Sequence, residues 1–214
     1  MPRPSATSAP ARAPRVRVPR AQREEQILSA AEQVFAERGF HATSMDEVAE
    51  RVGVTKPLIY EYFGSKEGLL SACITRARTQ LREATELSWA SVGPDAPLSE
   101  VFEAGVRAFF EFIDAHATAF VLIQQEGAVA SQANPLIEGI REEQSAATVA
   151  TFRAAPGLGA VPDELLEGCA EVVIGACERV AVWRAGRPGV GVEDATQIVV
   201  STVWGGLASL LAPR

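Results

Sequence analysis

The sequence predicts an all-α protein of about nine helices, three short ones forming an N-terminal helix-turn-helix unit and the rest a larger helical domain. Three observations predict it. Apolar residues recur at three- and four-residue spacing over most of the chain, no stretch shows the two-residue alternation of a strand, and breaks rich in glycine and proline separate the periodic segments. With 214 residues, 47% of them hydrophobic and spread along the length, there is enough apolar side chain for a real core.

Residues 1–20 are rich in Pro, Ala, Ser and Arg and contain no apolar run long enough for a secretory leader, so they read as a disordered arm. The first helix follows in residues 21–66, with Ile27, Ala31, Val34 and Phe35 on one stripe and Gly39 at its end. Thr43 or Ser44 can cap the second, whose inward face is Met45, Val48, Ala49 and Val52. Asp46 and Glu47 suit the positive end of its dipole, and Gly53 stops it. Thr55 caps the third, Pro57 is tolerated in its first turn, and Ile59 and Phe63 face inward. Gly64 breaks the chain again, and Ser65 caps a long fourth helix running from Lys66 to about Trp89.

In residues 67–214, a turn at Gly93, Pro94 and Pro97 leads to helices expected near 98–115, 117–127, 135–154, 162–185 and 193–211. Asn134 before Pro135 is a start signal, and Pro156, Gly157 and Gly159 are a stop.

The net charge of −7 is unevenly divided. The arm carries Arg3, Arg12, Arg15, Arg17 and Arg20 and no acid, so residues 1–66 sum to +2 and residues 67–214 to −9. A nucleic-acid binder of the purely architectural kind would be basic throughout. Cys73, Cys169 and Cys177 are widely spaced and lack a C-x-x-C pair, which fits buried thiols in a reducing cytoplasm better than a metal site, a disulfide framework or a redox sensor. There is no metal pattern, nucleophile elbow or phosphate loop, so no cofactor and no enzymatic activity are expected.

The segment Met45 to Phe63 has the form helix, glycine turn, helix. Its second helix can leave Thr55, Lys56, Pro57, Leu58 and Tyr60 outward while Ile59 and Phe63 pack. Thr43-Ser44-Met45, Val48-Ala49, Val52-Gly53-Val54 and the run Leu58 to Leu70 resemble the N-terminal signature of TetR-family regulators, over about fifty residues from Ile27 to Leu70. The resemblance implies that Thr43 and the start of the second helix meet the DNA backbone, and that Thr55, Lys56, Pro57 and Leu58 approach base edges. It also implies hydroxyl contacts from Tyr60 and Tyr62 and a phosphate contact from Lys66. Pro57 stands where the family often has glycine, and Glu61 where it often has an aromatic residue; Glu61 is assigned no role. The arginine arm can lie in a minor groove.

The resemblance fades after about Trp89, where members of the family bind small inducers. An apolar cavity is expected from Phe109, Phe112, His116, Phe120 and Gln124, closed by Trp89 and Phe152. From Ala195 to Pro213 no residue is charged, yet Thr196, Gln197, Ser201, Thr202, Ser209 and paired Gly205-Gly206 make a membrane span a poor reading. A helix buried against both its own domain and a second copy is the better one. The segments 162–185 and 193–211 are therefore expected to form a homodimer, with the partners a palindromic DNA operator and a small apolar or amphipathic inducer. The expected function is repression of neighbouring genes. Alternatives are an activator, a regulator without a ligand, or an all-α enzyme carrying a helix-turn-helix.

Overall fold

The computed structural model describes residues 18–93, 95–125, 135–154, 158 and 161–211, with the side chains of 135–137 and 211 excepted. Nine helices occur among the described residues: α1 Arg20–Ala42, α2 Met45–Val52, α3 Lys56–Phe63, α4 Lys66–Val92, α5 Leu98–Ala115, α6 Ala117–Gln124, α7 Pro135–Ala154, α8 Asp163–Arg184 and α9 Val192–Leu211. Each expected helix is present, with ends shifted by at most a few residues. Most of the expected basic arm, the punctuation at Pro94, Asn134, Pro156, Gly157 and Gly159, and residues 126–127 at the expected end of the sixth helix lie outside the described residues.

The N-terminal punctuation works largely as its chemistry dictates. Gly39 takes φ 74° inside α1, leaving one further turn before Thr43. Gly53 closes α2 in the left-handed region at φ 75°, ψ 36°, and its N–H bonds back to the Ala49 and Glu50 carbonyls. Ser44, not Thr43, caps α2: its hydroxyl accepts from the Asp46 N–H at 3.2 Å. Thr55 occupies the cap position of α3 without making a side-chain cap bond, whereas Ser65 caps α4 by accepting from the Gly68 N–H at 2.9 Å.

Two apolar cores result. The first gathers Ile27, Ala31, Val34 and Phe35 of α1, Met45 and Val48 of α2, Ile59 of α3, and Leu69, Leu70, Cys73 and Ile74 of α4. The second begins at Ala77 and Leu81 of α4 and continues through α5, α6, α7, α8 and α9. The division between cores therefore falls inside α4, between Ile74 and Ala77, whereas residue 66 is where this shared helix begins. Hydrophobic periodicity runs unbroken through α4 because both cores use the same helix.

One side chain crosses over. Leu122 of α6 is fully buried in the first core, and three residues further on, past the end of α6, Gln125 Nε2 donates to the Phe35 carbonyl of α1 at 2.9 Å. The three thiols are buried and unpaired with one another.

A Cβ at Gly53 would touch nothing, so Gly53→Ala costs only the left-handed backbone, about 1–2 kcal/mol. The melting temperature is expected to fall by roughly 2–8 °C, with Gly53→Asn recovering most of the loss in the same thermal denaturation.

Candidate nucleic-acid interface and ligand cavity

α3 packs on α2 and α4 through Ile59, which is fully buried. The face opposite is open. Thr55, Pro57 and Glu61 are exposed, Tyr60 retains 39% of its surface, and Lys56, Leu58 and Tyr62 are half-buried along the flanks. Thr55, Pro57 and Tyr60 are thus accessible at the cap and along α3, with Lys56 and Leu58 partly so. The Tyr62 ring packs against the first core with the Arg20 guanidinium 4.8 Å from its centroid. Lys66 Nζ reaches back over the Phe40 ring, 4.7 Å from its centroid, and donates to the His41 carbonyl at 3.3 Å.

Thr43 is placed differently from expectation. It is 4% exposed, and its hydroxyl donates to the Gly39 carbonyl at 2.8 Å, closing the turn that Gly39 opens. Its side chain is spent inside the protein, so it has no group to offer a backbone phosphate.

The cations around this face are held by acids. Lys56 Nζ lies 2.9 Å from Asp46 Oδ2, and that hydrogen bond raises the ammonium pKa. Arg51 bridges Glu37 at 3.1 Å and Glu47 at 3.7 Å, while Arg38 reaches Glu47 at 3.4 Å. The Arg51 hydrogen bond holds the Glu37 carboxyl below its ordinary range.

A cavity with a free volume of about 50 Å³ lies between α4, α5, α7 and α8. Trp89, Phe109 and Phe152 line it as expected; Phe112, His116, Phe120 and Gln124 do not. Phe102, Val106 and Phe109 present the cavity face of α5. Phe112 is buried in the large core and stacks on His116, whose ring is 4.4 Å away at the exposed junction of α5 and α6. Phe120 and Gln124 border a separate open cleft with Arg78, Glu178 and Arg179.

The cavity also has a polar wall that the aromatic pattern did not reveal: Arg82 and Thr85 of α4, and Gln144, Thr148 and Thr151 of α7. Its signal was polar residues at helical spacing, 82-85 and 144-148-151, in helices whose other faces are already polar. Each threonine donates its one proton to its own helix, to the carbonyls of Leu81, Gln144 and Ala147, leaving its oxygen an acceptor toward the cavity. Arg82 gives Nη1 to Glu86 at 2.7 Å, while its Nε is buried with no partner among the described residues. Burial pushes the Cys177 thiol up to about 12, so this wall residue stays protonated.

α8 and α9 leave an apolar surface. Val172 is 57% and Leu210 53% exposed, and a shallow groove between them is floored by Gly168, Cys169, Gly206 and Leu207. Among the described residues no helix is long and apolar enough to cross a membrane, and no group of His, Cys, Asp and Glu side chains could hold a metal.

A short helix-turn-helix with an open second helix, joined to a larger helical domain with an internal cavity, defines a regulator of the helix-turn-helix class. The chain belongs to the TetR family of bacterial regulatory proteins: residues 27–73 match that family's DNA-binding part, and residues 98–206, just over half the chain, match a tetracyclin repressor-like C-terminal domain. It is 37% identical over 107 residues to the HTH-type transcriptional activator FasR of Mycolicibacterium smegmatis, covering 50% of this chain and 48% of FasR. It is 31% identical over 134 residues to the HTH-type transcriptional repressor BepR of Brucella suis, covering 61% of this chain and 63% of BepR. The chain thus spans from about half to under two thirds of these relatives. A TetR-like transcriptional regulator from Rhodococcus sp. RHA1 superposes with a TM-score of 0.65 at 31% identity, over 90% of this chain and 99% of that one. FadR from Bacillus subtilis, solved in complex with stearoyl-CoA, shares the fold with a TM-score of 0.69 at 19% identity, over 85% of this chain and 98% of that one.

Trp89 closes the cavity by lying on Gly105, where a Cβ would stand 2.3 Å from the indole Nε1. Gly105→Ala is expected to expel the indole. One of the three tryptophans should then show red-shifted emission and faster acrylamide quenching, a change abolished in a Trp89→Phe background.

Proposed function

We propose that this protein is a homodimeric transcriptional repressor that holds a palindromic operator with α3 in the major groove and is released when a small apolar or amphipathic molecule fills the cavity. The open face of α3, opposite buried Ile59, carries the reading. A helix two turns long, anchored by one residue, presents Thr55, Lys56, Pro57, Leu58 and Tyr60 at the width of a major groove. Tyr60 and Tyr62 bring hydroxyls to the flanking phosphates, and Lys66 swings from the His41 carbonyl to a phosphate oxygen. Lys56 exchanges Asp46 for DNA.

The dimer forms through α8 and α9. Val172, Ile198 and Leu210 are exposed apolar side chains on these two helices, and Gly205 and Gly206 allow close approach by a second copy. The two-fold then sets two α3 helices about 34 Å apart, the spacing of successive major grooves on one face of the duplex.

The ligand chemistry follows from the cavity. Its walls are aromatic and aliphatic, the Arg82 Nε–H lacks an acceptor among the described residues, and three threonine oxygens offer acceptors of their own. An apolar body bearing one or two polar atoms satisfies all of these. Occupation moves α5 and α6, and α6 with the residue that ends it holds Leu122 and Gln125 against α1, so the DNA-binding unit turns with it. Activation rather than repression is the second reading, favoured by the identity to FasR, which is named an activator.

The test is fluorescence anisotropy of the full chain on the DNA flanking its own gene, over a range of salt. Lys66→Ala is expected to weaken binding and flatten the log K against log salt slope by about 0.9; an unchanged slope removes Lys66 from the interface. A Cβ at Gly206 would meet nothing within the protomer and the position opens on a surface groove, so Gly206→Arg should fold. It is expected to sediment as a monomer and to lose operator affinity at least about ten-fold, because one half-site alone is then held.

A further inference from the structure

Glu61 is the side chain of α3 that points most directly away from the protein. Successive residues turn by about 100°, so Glu61, two residues after buried Ile59, stands about 160° from it. Pro57, one turn earlier, stands at the same angle on the other side, and both are exposed. Whatever α3 docks against meets Pro57 and Glu61 first.

None of the ion pairs or hydrogen bonds among the described residues reaches this carboxylate. Lys56 is on Asp46, Arg51 on Glu37 and Glu47, Arg38 on Glu47, Arg20 over Tyr62, and Lys66 on the His41 carbonyl. An ionised carboxylate only accepts hydrogen bonds. Near phosphates it is repelled, and against most base edges it is left desolvated and unpaired, which costs binding. In the major groove the donors are the N4 amino group of cytosine and the N6 amino group of adenine. The adenine amine adjoins the N7 acceptor, which opposes the second carboxylate oxygen; the cytosine amine adjoins a C–H on its open side.

We propose that Glu61 is a specificity-determining residue that accepts a hydrogen bond from the N4 amino group of one cytosine in each operator half-site. This rests on the reading of α3 as the helix that enters the major groove. Discrimination comes from both directions: cytosine satisfies the carboxylate, guanine and thymine bury it without a donor, and adenine sets its N7 acceptor against the second oxygen. Replacing that C·G pair is expected to weaken binding by roughly ten-fold or more, the usual range for a base contact of this kind.

The experiment selects bound duplexes from a randomised DNA library with the full-length wild type, Glu61→Ala and Glu61→Gln, and then measures each protein by anisotropy on the selected site and on the site lacking that cytosine. Both substitutions are at an exposed position, and circular dichroism melts confirm folding. The wild type is expected to select a two-fold symmetric motif with a strong cytosine in each half. Glu61→Ala should lose the preference at that position alone, narrowing the gap between the two sites about ten-fold or more. Glu61→Gln should move the preference toward adenine, because an amide both donates to N7 and accepts from N6. If Glu61→Ala selects the unchanged motif, with tighter binding at every sequence, Glu61 is only an electrostatic brake and the proposal fails while α3 keeps its role. If the wild type selects no motif, the groove reading fails as well.

Discussion

The contact between α6 and α1 is the constraint on which the rest of this structure depends. α4 runs through both cores and would by itself leave the helix-turn-helix unit attached along one axis, free to twist about it. Leu122, fully buried among α1 and α4 side chains, supplies the second attachment that fixes the unit's orientation. The hydrogen bond from Gln125 to the Phe35 carbonyl adds direction, but the Gln125 Oε1 is buried without a partner among the described residues. An unsatisfied buried acceptor costs about 1–3 kcal/mol. The joint is thus apolar and specific, yet carries a penalty that lowers the cost of changing it, which is what a movable joint requires.

The sequence made the helices and the three-helix unit legible because they rest on local chemistry. Gly39, Gly53 and Gly64 adopt positive φ where the pattern ends each helix, and Ile59 is the anchor its four-residue spacing with Phe63 implies. The open face of α3 was legible for the same reason. Thr43 was not, because a threonine after a glycine break can cap the next helix or close the preceding turn, and only tertiary burial decides. The cavity was half legible. The stripe of α5 identified Phe109, but which aromatic residues border free space depends on where α7 and α8 cross, and that is not a property of any one helix. Arg82 and Thr148 escaped because polar residues on amphipathic helices are ordinarily solvated.

Charge sharpens the picture of how such a protein is selective. Lys56, Arg51 and Arg38 are already neutralised by acids within the unit, and residues 67–214 carry −9. Phosphate attraction is therefore weak unless the five arginines of the N-terminal arm take part. Weak non-specific attraction raises the relative weight of shape and base contacts, so a single outward residue of α3 has unusual leverage over which sequences are bound.

The volume of the cavity bears on how a ligand would act. Sites for small organic ligands usually occupy about 300–1,000 Å³, whereas the space beneath Trp89 is about 50 Å³. A molecule of ordinary size needs more room than this arrangement offers, so binding one would require the lining helices to part. A ligand shifts an equilibrium by the difference in its affinities for the two states. Tight packing of the cavity thus couples any such binding to a parting of the helices that line it, α4, α5, α7 and α8.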